Sequence, residues 1–248
     1  MRLGRVLSTT SHHMVNRKTA GLLVIGDEIL KGSTLDTNSH FLCEKLHSLG
    51  VNVSVVADEV DTIAREIRIM STSYDMVLTT GGVGPTHDDK TYLGLAKAFD
   101  KGLCLSQEIS DAINKYLPTY VNQRNREGKG AETAEDLQRT IDLATQKLAT
   151  IPTDAVLLWG KRSSSGEVSD FPVVKLNNVI AFPGVPKFCK KAFRELQDEL
   201  FPVAERSAVL SETVFTDLDE FDFSKKLTLL AEKFPKVQIG SYPVVKNK

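Results

Sequence analysis

The sequence predicts an α/β protein: a three-layer α/β/α domain around a mostly parallel sheet, with a small α+β lobe at the C-terminal end. Two observations carry that reading. From Ala20 onward, short apolar runs alternate with helical periodicities, the pattern of βα units that build a parallel sheet with helices on both faces. Beyond Pro202 the character changes to strand, helix and strand in quick succession, with little apolar material for an independent core.

The elements follow in order. "AGLLVIG" is a continuous apolar run of the kind buried on both faces. "DTNSHFLCEKLHSLG" reads as a helix, with Asp36 or Thr37 placed to cap it, Phe41, Leu42, Leu46 and Leu49 on one side, and Gly50 as a stop. "VNVSVVAD" is the second strand. In "DTIAREIRIMSTS", Ile63, Ile67 and Met70 share one helical face. "YDMVLTT" is the third strand, and "DDKTYLGLAKAF" stripes Tyr92, Leu93, Ala96 and Phe99 as the helix after it.

Residues 106–150 show no strand-like alternation, and "QRNREGKGAETAEDLQR" is charged and glycine-interrupted, so helices broken by a mobile surface loop are expected there. "AVLLWG" and "FPVVKL", separated by the polar "KRSSSGEVSD", form a long hairpin. "NVIAFPGVP" is a strand entering a Gly-Pro turn, and Pro186 suits the first turn of the helix "PKFCKKAFRELQDELF". The tail gives "SETVFTDL", "DFSKKLTLLAEKFP" and "VQIGSYPVV". The expected organisation is a basic N-terminal tail or transit peptide over 1–18, the α/β domain over 19–202 and the small lobe over 203–248.

Composition excludes several classes of function. With 31 basic and 32 acidic residues the net charge is −1, so there is no overall attraction for nucleic acid. No apolar run approaches the ~20 residues of a membrane-spanning helix, so no membrane partner is expected. Cys43, Cys104 and Cys189 are odd in number and widely spaced, fitting free thiols in a reducing compartment rather than a disulfide framework or a CxxC metal site. The first twenty residues carry Arg2, Arg5, Arg17 and Lys18 and no acid, as mitochondrial transit peptides do. With Met14 as a second start, a mitochondrial or a cytoplasmic location is expected.

The stretch "TTGGVGPTHDD", residues 79–89, lies where a strand ends and a helix begins. Glycines admit positive φ and let backbone amides approach a ligand, and a helix start favours anions, so the turn suits phosphate oxygens. It lacks the GxxxxGK[ST] pattern and the third glycine of a dinucleotide fingerprint, so kinase-like and NAD-binding readings lose support. Asp88 and Asp89 would repel a phosphate unless a divalent cation stood between them. The alternative is that both aspartates cap the helix and the glycines only make a turn. Further acids follow the first and second strands, Asp27 and Glu28 in "GDE" and Asp58 and Glu59 in "ADE", where they can converge on the same rim.

"GDEILKGSTLDTN", "TTGGVGPTHDD" and "FPGVP", in this order and spacing, resemble the molybdopterin-binding-like domain of eukaryotic FAD synthases, which is similar to the amino-terminal domain of bacterial CinA. The resemblance runs from about Thr19 to Tyr242 and includes "ATIPTDAVLL" and "IGSYP". It implies a MogA-like α/β fold and a site for nucleotide or pterin pyrophosphates. It further implies divalent-metal-dependent hydrolysis of FAD to FMN and AMP, with Mg²⁺, Mn²⁺ or Co²⁺ as the metal and potassium as an additional candidate. Relatives of the CinA type imply ADP-ribose as an alternative substrate, and a homo-oligomer is expected from relatives that self-associate.

By position, Asp89 matches the acid after the adenylyltransferase TGGxGP turn, Asp58 the other functional aspartate, and Asp27 a third position. Asp58 and Asp89 are thus the expected catalytic pair, and Asp27, Asp58, Asp88 and Asp89 the expected metal ligands. Gly26, Gly81, Gly82, Gly84, Thr86, Gly184 and Lys187 are the expected substrate contacts, with N-capping and a solvated helix charge as the alternatives for Thr86 and Lys187. His87 is a candidate general acid against a solvent-facing loop histidine. Three departures from the family stand out: no reductase-like synthase domain, an end soon after "GSYP", and a longer charged segment from Arg124 to Asp136. Hydrolase activity is therefore expected rather than synthase activity. The other readings are a molybdopterin-binding or adenylyltransferase-like domain, and a catalytically silent partner of a flavin enzyme.

Overall fold

The computed structural model describes residues 4–11, 19–46, 50–126, 133–162, 165–202, 211–235 and 237–244. They fall into two compact units: Lys18–Val203, and Met1–Arg17 together with Ala204–Lys248. The chain opens with β1 (Gly4–Ser11), which belongs to the smaller unit.

The larger unit runs β2 (Thr19–Ile25), α1 (Asp27–Leu30), α2 (Thr37–Leu46), β3 (Gly50–Val56), α3 (Val60–Ser73), β4 (Met76–Thr80) and α4 (Thr91–Ala98). It continues through β5 (Leu103–Leu105), α5 (Gln107–Arg126), α6 (Ala134–Ala149), β6 (Thr150–Pro152), β7 (Val156–Leu158), β8 (Val173–Leu176), β9 (Val179–Phe182) and α7 (Pro186–Leu200). The main sheet has the order β3-β2-β4-β9-β8-β7. Its first four strands are parallel, while β8 and β7 run antiparallel at one edge. This is the α/β architecture the apolar runs predict. β5 and β6 pair separately as a small antiparallel ribbon.

Strand periodicity divides the core. Leu22, Val24, Leu78 and Phe182 point to the face covered by Phe41 and Leu42 of α2 and Phe193 and Leu196 of α7. Leu23, Ile25 and Val77 point to the other face, against Ile63 and Ile67 of α3 and Leu95 of α4. Each fully buried side chain of this size contributes about 1.5–3 kcal/mol, so the two layers lock the sheet between them. α3 and α4 also approach closely, since a Cβ on Gly94 would meet Ile63 Cγ2 at 2.3 Å.

Because α2 after β2 covers one face and α4 after β4 the other, the chain leaves β2 and β4 toward opposite faces. Open parallel sheets bind ligands at the carboxyl edge of such a switch point. Of the charged segment expected to hold a mobile loop, residues 123–126 end α5 and 134–139 begin α6, while 127–132 lie outside the described residues. Gly50, expected to stop the helix before it, is the first residue of β3.

The smaller unit contains β10 (Ser211–Thr216), α8 (Glu220–Lys233) and β11 (Val237–Val244). Within residues 1–18, the segment expected as a tail or transit peptide, Gly4–Ser11 forms the middle strand of an antiparallel sheet ordered β10-β1-β11. Two strands alone are marginal in water, and a third between them satisfies both inner edges. Starting the chain at Met14 is therefore expected to strip amide protection from β10 and β11 while leaving the larger unit's protection unchanged. Hydrogen exchange on the truncated protein checks this.

No helix among the described residues is long and apolar enough to cross a membrane. All three cysteines are free, with Cys189 buried and Cys104 exposed.

Candidate active site

Parallel alignment brings the ends of β2, β3, β4 and β9 to one rim, where the "GDE", "ADE", glycine and "FPGVP" turns follow them. The glycine turn after β4 is packed at the β2/β4 switch point. Gly81 has φ +102°, and a Cβ there would meet Ile25 O at 2.0 Å, so only glycine lets β4 turn this close to β2. Gly82 has φ +63°, with Thr91 Oγ1 at 2.4 Å from where its Cβ would stand. Gly184 faces Gly81 from the β9 side, 3.0 Å separating its would-be Cβ from Gly81 Cα.

Two buried side chains that sequence reasoning did not select hold this turn. Thr91, the first residue of α4, donates its hydroxyl to Gly81 O at 2.7 Å and its N–H to Gly82 O at 2.9 Å. Asn38 of α2 donates from Nδ2 to Thr80 Oγ1 at 2.9 Å and to Gly184 O at 2.7 Å, tying the β4 end to the "FPGVP" turn. Asn38 Oδ1 is buried without a partner. The readable signal was its place three and four residues before Phe41 and Leu42, on the buried stripe. Asn38→Ala is expected to destabilise the larger unit by about 1–3 kcal/mol, read in a urea unfolding curve.

The backbone amides sort the glycines. Gly26 N–H is bonded to Val56 O at 3.2 Å and Gly81 N–H to Phe182 O at 3.2 Å, so neither is available to a substrate. By contrast, the N–H groups of Gly82, Val83 and Gly84 have no protein acceptor among the described residues. Consecutive unpaired amides on a turn form an anion-binding concavity.

The acids separate into two groups. Asp27 and Asp58 face each other across β2 and β3: Asp27 N–H donates to Asp58 Oδ2 at 2.9 Å, and Asp58 N–H to Asp27 Oδ1 at 3.3 Å. Burial pushes the Asp58 carboxyl above its ordinary range, the bond from Asp27 N–H opposes the rise, and the charges of Glu28, Asp27 and Asp88 add to it. The Lys31 ammonium, 3.0 Å away, together with Asp58 N–H holds exposed Asp27 below the usual carboxylate range.

Asp89 lies on the turn itself. Its Oδ2 accepts from Thr86 N–H at 2.8 Å and from Thr86 Oγ1 at 2.6 Å, and it would meet a Cβ on Gly84 at 2.6 Å. The same Thr86 hydroxyl lies 2.5 Å from Asp88 Oδ1, so its one proton is shared between the two carboxylates, and this contact holds Asp88 low. Helix α4 starts after Lys90 with no side-chain cap, so neither aspartate caps it and Thr86 is not its N-cap. His87 is almost fully exposed, and Lys187 is a solvent-facing residue on the first turn of α7.

Among the described residues, no three His, Cys, Asp or Glu side chains stand close enough together to hold a metal ion unaided. Asp27, Asp58, Asp88 and Asp89 are therefore not a ready-made cage. Their chemistry still fits Mg²⁺ or Mn²⁺: the donors are hard carboxylate oxygens, and the like charges crowding Asp58 are what a cation relieves. Such ions are commonly held by one or two carboxylates, with substrate phosphates completing the shell.

Beside the turn lies a cleft of about 350 Å³, reaching from Gly82 and Gly84 past Asp89 to Leu143 and Lys147 of α6. Asp58 does not line it. Glycine turn and acid pair thus follow neighbouring strand ends of one rim, and of the two only the turn lines the cleft.

A family model described as "probable molybdopterin binding domain" matches residues 21–202. The chain belongs to that family. Residues 208–248 match a second model, the FAD synthase middle domain. A "probable FAD synthase" of Caenorhabditis elegans is 58% identical over 95% of this chain and 46% of its own length. Its counterpart in Caenorhabditis briggsae is 56% identical over 94% of this chain and 45% of its own length. The chain thus spans less than half the length of these curated relatives. Among solved structures, the molybdopterin-binding-type fold is matched by the protein CinA, of unknown function, from Thermoplasma acidophilum. That match has a TM-score of 0.55 and 27% identity, covering 75% of this chain and 99% of that one.

Proposed function

We propose that this domain hydrolyses a nucleotide pyrophosphate, FAD to FMN and AMP, with the help of a divalent metal. The observation that carries the reading is the row of unpaired amides at Gly82, Val83 and Gly84, placed on the same rim as the Asp27–Asp58 pair. Relatives named as FAD synthases support a flavin nucleotide as the substrate.

The turn's amides bind phosphate oxygens and stabilise the charge that builds up as water adds to phosphorus and the P–O–P bridge breaks. Asp89 grips Thr86 and so keeps the turn in its amide-presenting shape. Asp58, less acidic than an ordinary aspartate, orients the attacking water on the other side. Asp58, with Asp27 beside it, would hold the cation together with the substrate phosphates, and the ion would neutralise charge on the pyrophosphate and lower the barrier to attack by water. Water supplies the atoms for both products, with one phosphate on FMN and one on AMP.

The test incubates the purified chain with FAD, ADP-ribose, NAD or CoA and with Mg²⁺, Mn²⁺ or Co²⁺, and separates the products. FMN plus AMP from FAD is the expected result; no turnover of any of the four overturns the reading. A second reading has a specific observation behind it, the family description itself: a molybdopterin-binding or adenylyltransferase-like domain without hydrolase activity. Molybdopterin binding with no cleavage of FAD would select it. Self-association and a mitochondrial or cytoplasmic location belong to the same proposal, checked by light scattering and by N-terminal sequencing of the endogenous protein.

A further inference from the structure

The cleft beside the glycine turn has a mixed lining. Leu93 of α4, Leu103 of β5 and Leu143 of α6 supply apolar surface and stay 38%, 37% and 62% exposed. Asp89, Gln146, Lys147 and Thr150 supply polar groups, with Leu143 and Lys147 one turn apart on α6. Lys147 donates from Nζ to Asp89 O at 2.7 Å, which ties α6 to the turn. Leucines around a concave site gain by being covered, and a volume of about 350 Å³ lies within the range of small-ligand pockets. Gly82, Val83 and Gly84, whose N–H groups have no protein acceptor among the described residues, also belong to the cleft's lining.

We infer that this cleft is the subsite for the isoalloxazine ring of a flavin nucleotide, its phosphates lying on the Gly82–Gly84 amides. This rests on the pyrophosphatase reading and deepens it by naming which end of the dinucleotide enters here. The ring's shape argues for it. An isoalloxazine carries a dimethylbenzene edge with no polar atom and an opposite edge of alternating carbonyl and N–H groups. Leu93, Leu103 and Leu143 suit the first, and the Gln146 amide, Lys147 ammonium and Thr150 hydroxyl suit the second. A purine has ring nitrogens or exocyclic nitrogen around most of its rim and would leave polar atoms against the leucines unpaired, at a free-energy cost. The cleft therefore discriminates FAD from ADP-ribose, NAD and CoA, which share only the adenine end.

The experiment titrates the intact 248-residue chain into riboflavin and FMN, following flavin fluorescence, with AMP as a competitor. It repeats the titrations with Leu143→Glu, a change at a position exposed enough to leave the core untouched. Riboflavin and FMN are expected to bind the wild type, with FMN tighter and AMP unable to displace riboflavin. In Leu143→Glu both flavins are expected to weaken by about tenfold or more, a difference of about 1.4 kcal/mol. Displacement of riboflavin by AMP, or unchanged flavin affinity in Leu143→Glu with its unfolding curve intact, overturns the inference. These are binding readouts, so they decide the subsite even where no pyrophosphate is cleaved. Conversely, cleavage of FAD with no effect of Leu143→Glu on binding or KM sinks the subsite and leaves the hydrolase standing.

Discussion

Gly81→Ala is expected to abolish hydrolysis and to destabilise the larger unit by on the order of 3 kcal/mol. Two effects add. A residue with a Cβ is strained at φ +102°, and the added carbon would stand 2.0 Å from Ile25 O, a backbone atom that cannot rotate away. Either β4 must withdraw from β2 or the turn must open, and both move the Gly82–Gly84 amides. Gly32→Ala is the matched control. Gly32 also has a positive φ, +67°, but nothing lies within 4 Å of where its Cβ would be. It should lose only about 1 kcal/mol and keep full activity. Urea unfolding of the two variants measures the difference; equal losses would mean that the close approach at Gly81 contributes nothing.

The second large effect is on turnover. Asp58→Asn keeps an acceptor for Asp27 N–H but removes the charge at the point where Glu28, Asp27 and Asp88 crowd together. Turnover of FAD is expected to fall about 100-fold or more, with the unfolding midpoint little changed. Asp89 acts differently, through Thr86. Asp89→Asn and Thr86→Val should therefore share a smaller loss of about tenfold, mainly in KM, and combining them should add little more. Steady-state kinetics on the three variants separate the roles. A loss in Asp89→Asn that matches Asp58→Asn while Thr86→Val behaves as wild type would place Asp89 in the chemistry instead.

Much of the fold could be read because its signals are local. The runs at 20–26 and 76–80 and the stripe of Ile63, Ile67 and Met70 each fit within one window of sequence and pointed to the right layer. The N-terminal strand could not be read that way. "GRVLSTTS" has no apolar alternation strong enough to announce a strand, and its partners lie some two hundred residues away in β10 and β11. Non-local pairing of this kind leaves no mark on a sequence window.

The site was legible in outline and not in detail. Glycine turn, acids and rim follow from strand ends in a parallel sheet, a general rule. Which amides are free is not written in the sequence: Gly26 and Gly81 look like Gly82 and Gly84 until the Val56 and Phe182 carbonyls are in place. Asp89 could equally have capped the helix, and only the position of Thr86 turned it back across Gly84. Asn38 and Thr91 were passed over because a polar residue in a helix reads as surface, whereas here both are buried struts. Part of the cleft's lining comes from α6, in the segment expected to be only an insertion.

The most direct test of the account is a crystal structure of this chain with a methylene-bridged, uncleavable analogue of FAD and Mg²⁺. The expected map places the phosphate oxygens within hydrogen-bond distance of the Gly82 and Gly84 N–H groups, with the cation between them and Asp58. Density for the phosphates elsewhere on the molecule, with those amides facing solvent and Asp58 still bonded only to Asp27 N–H, would contradict it.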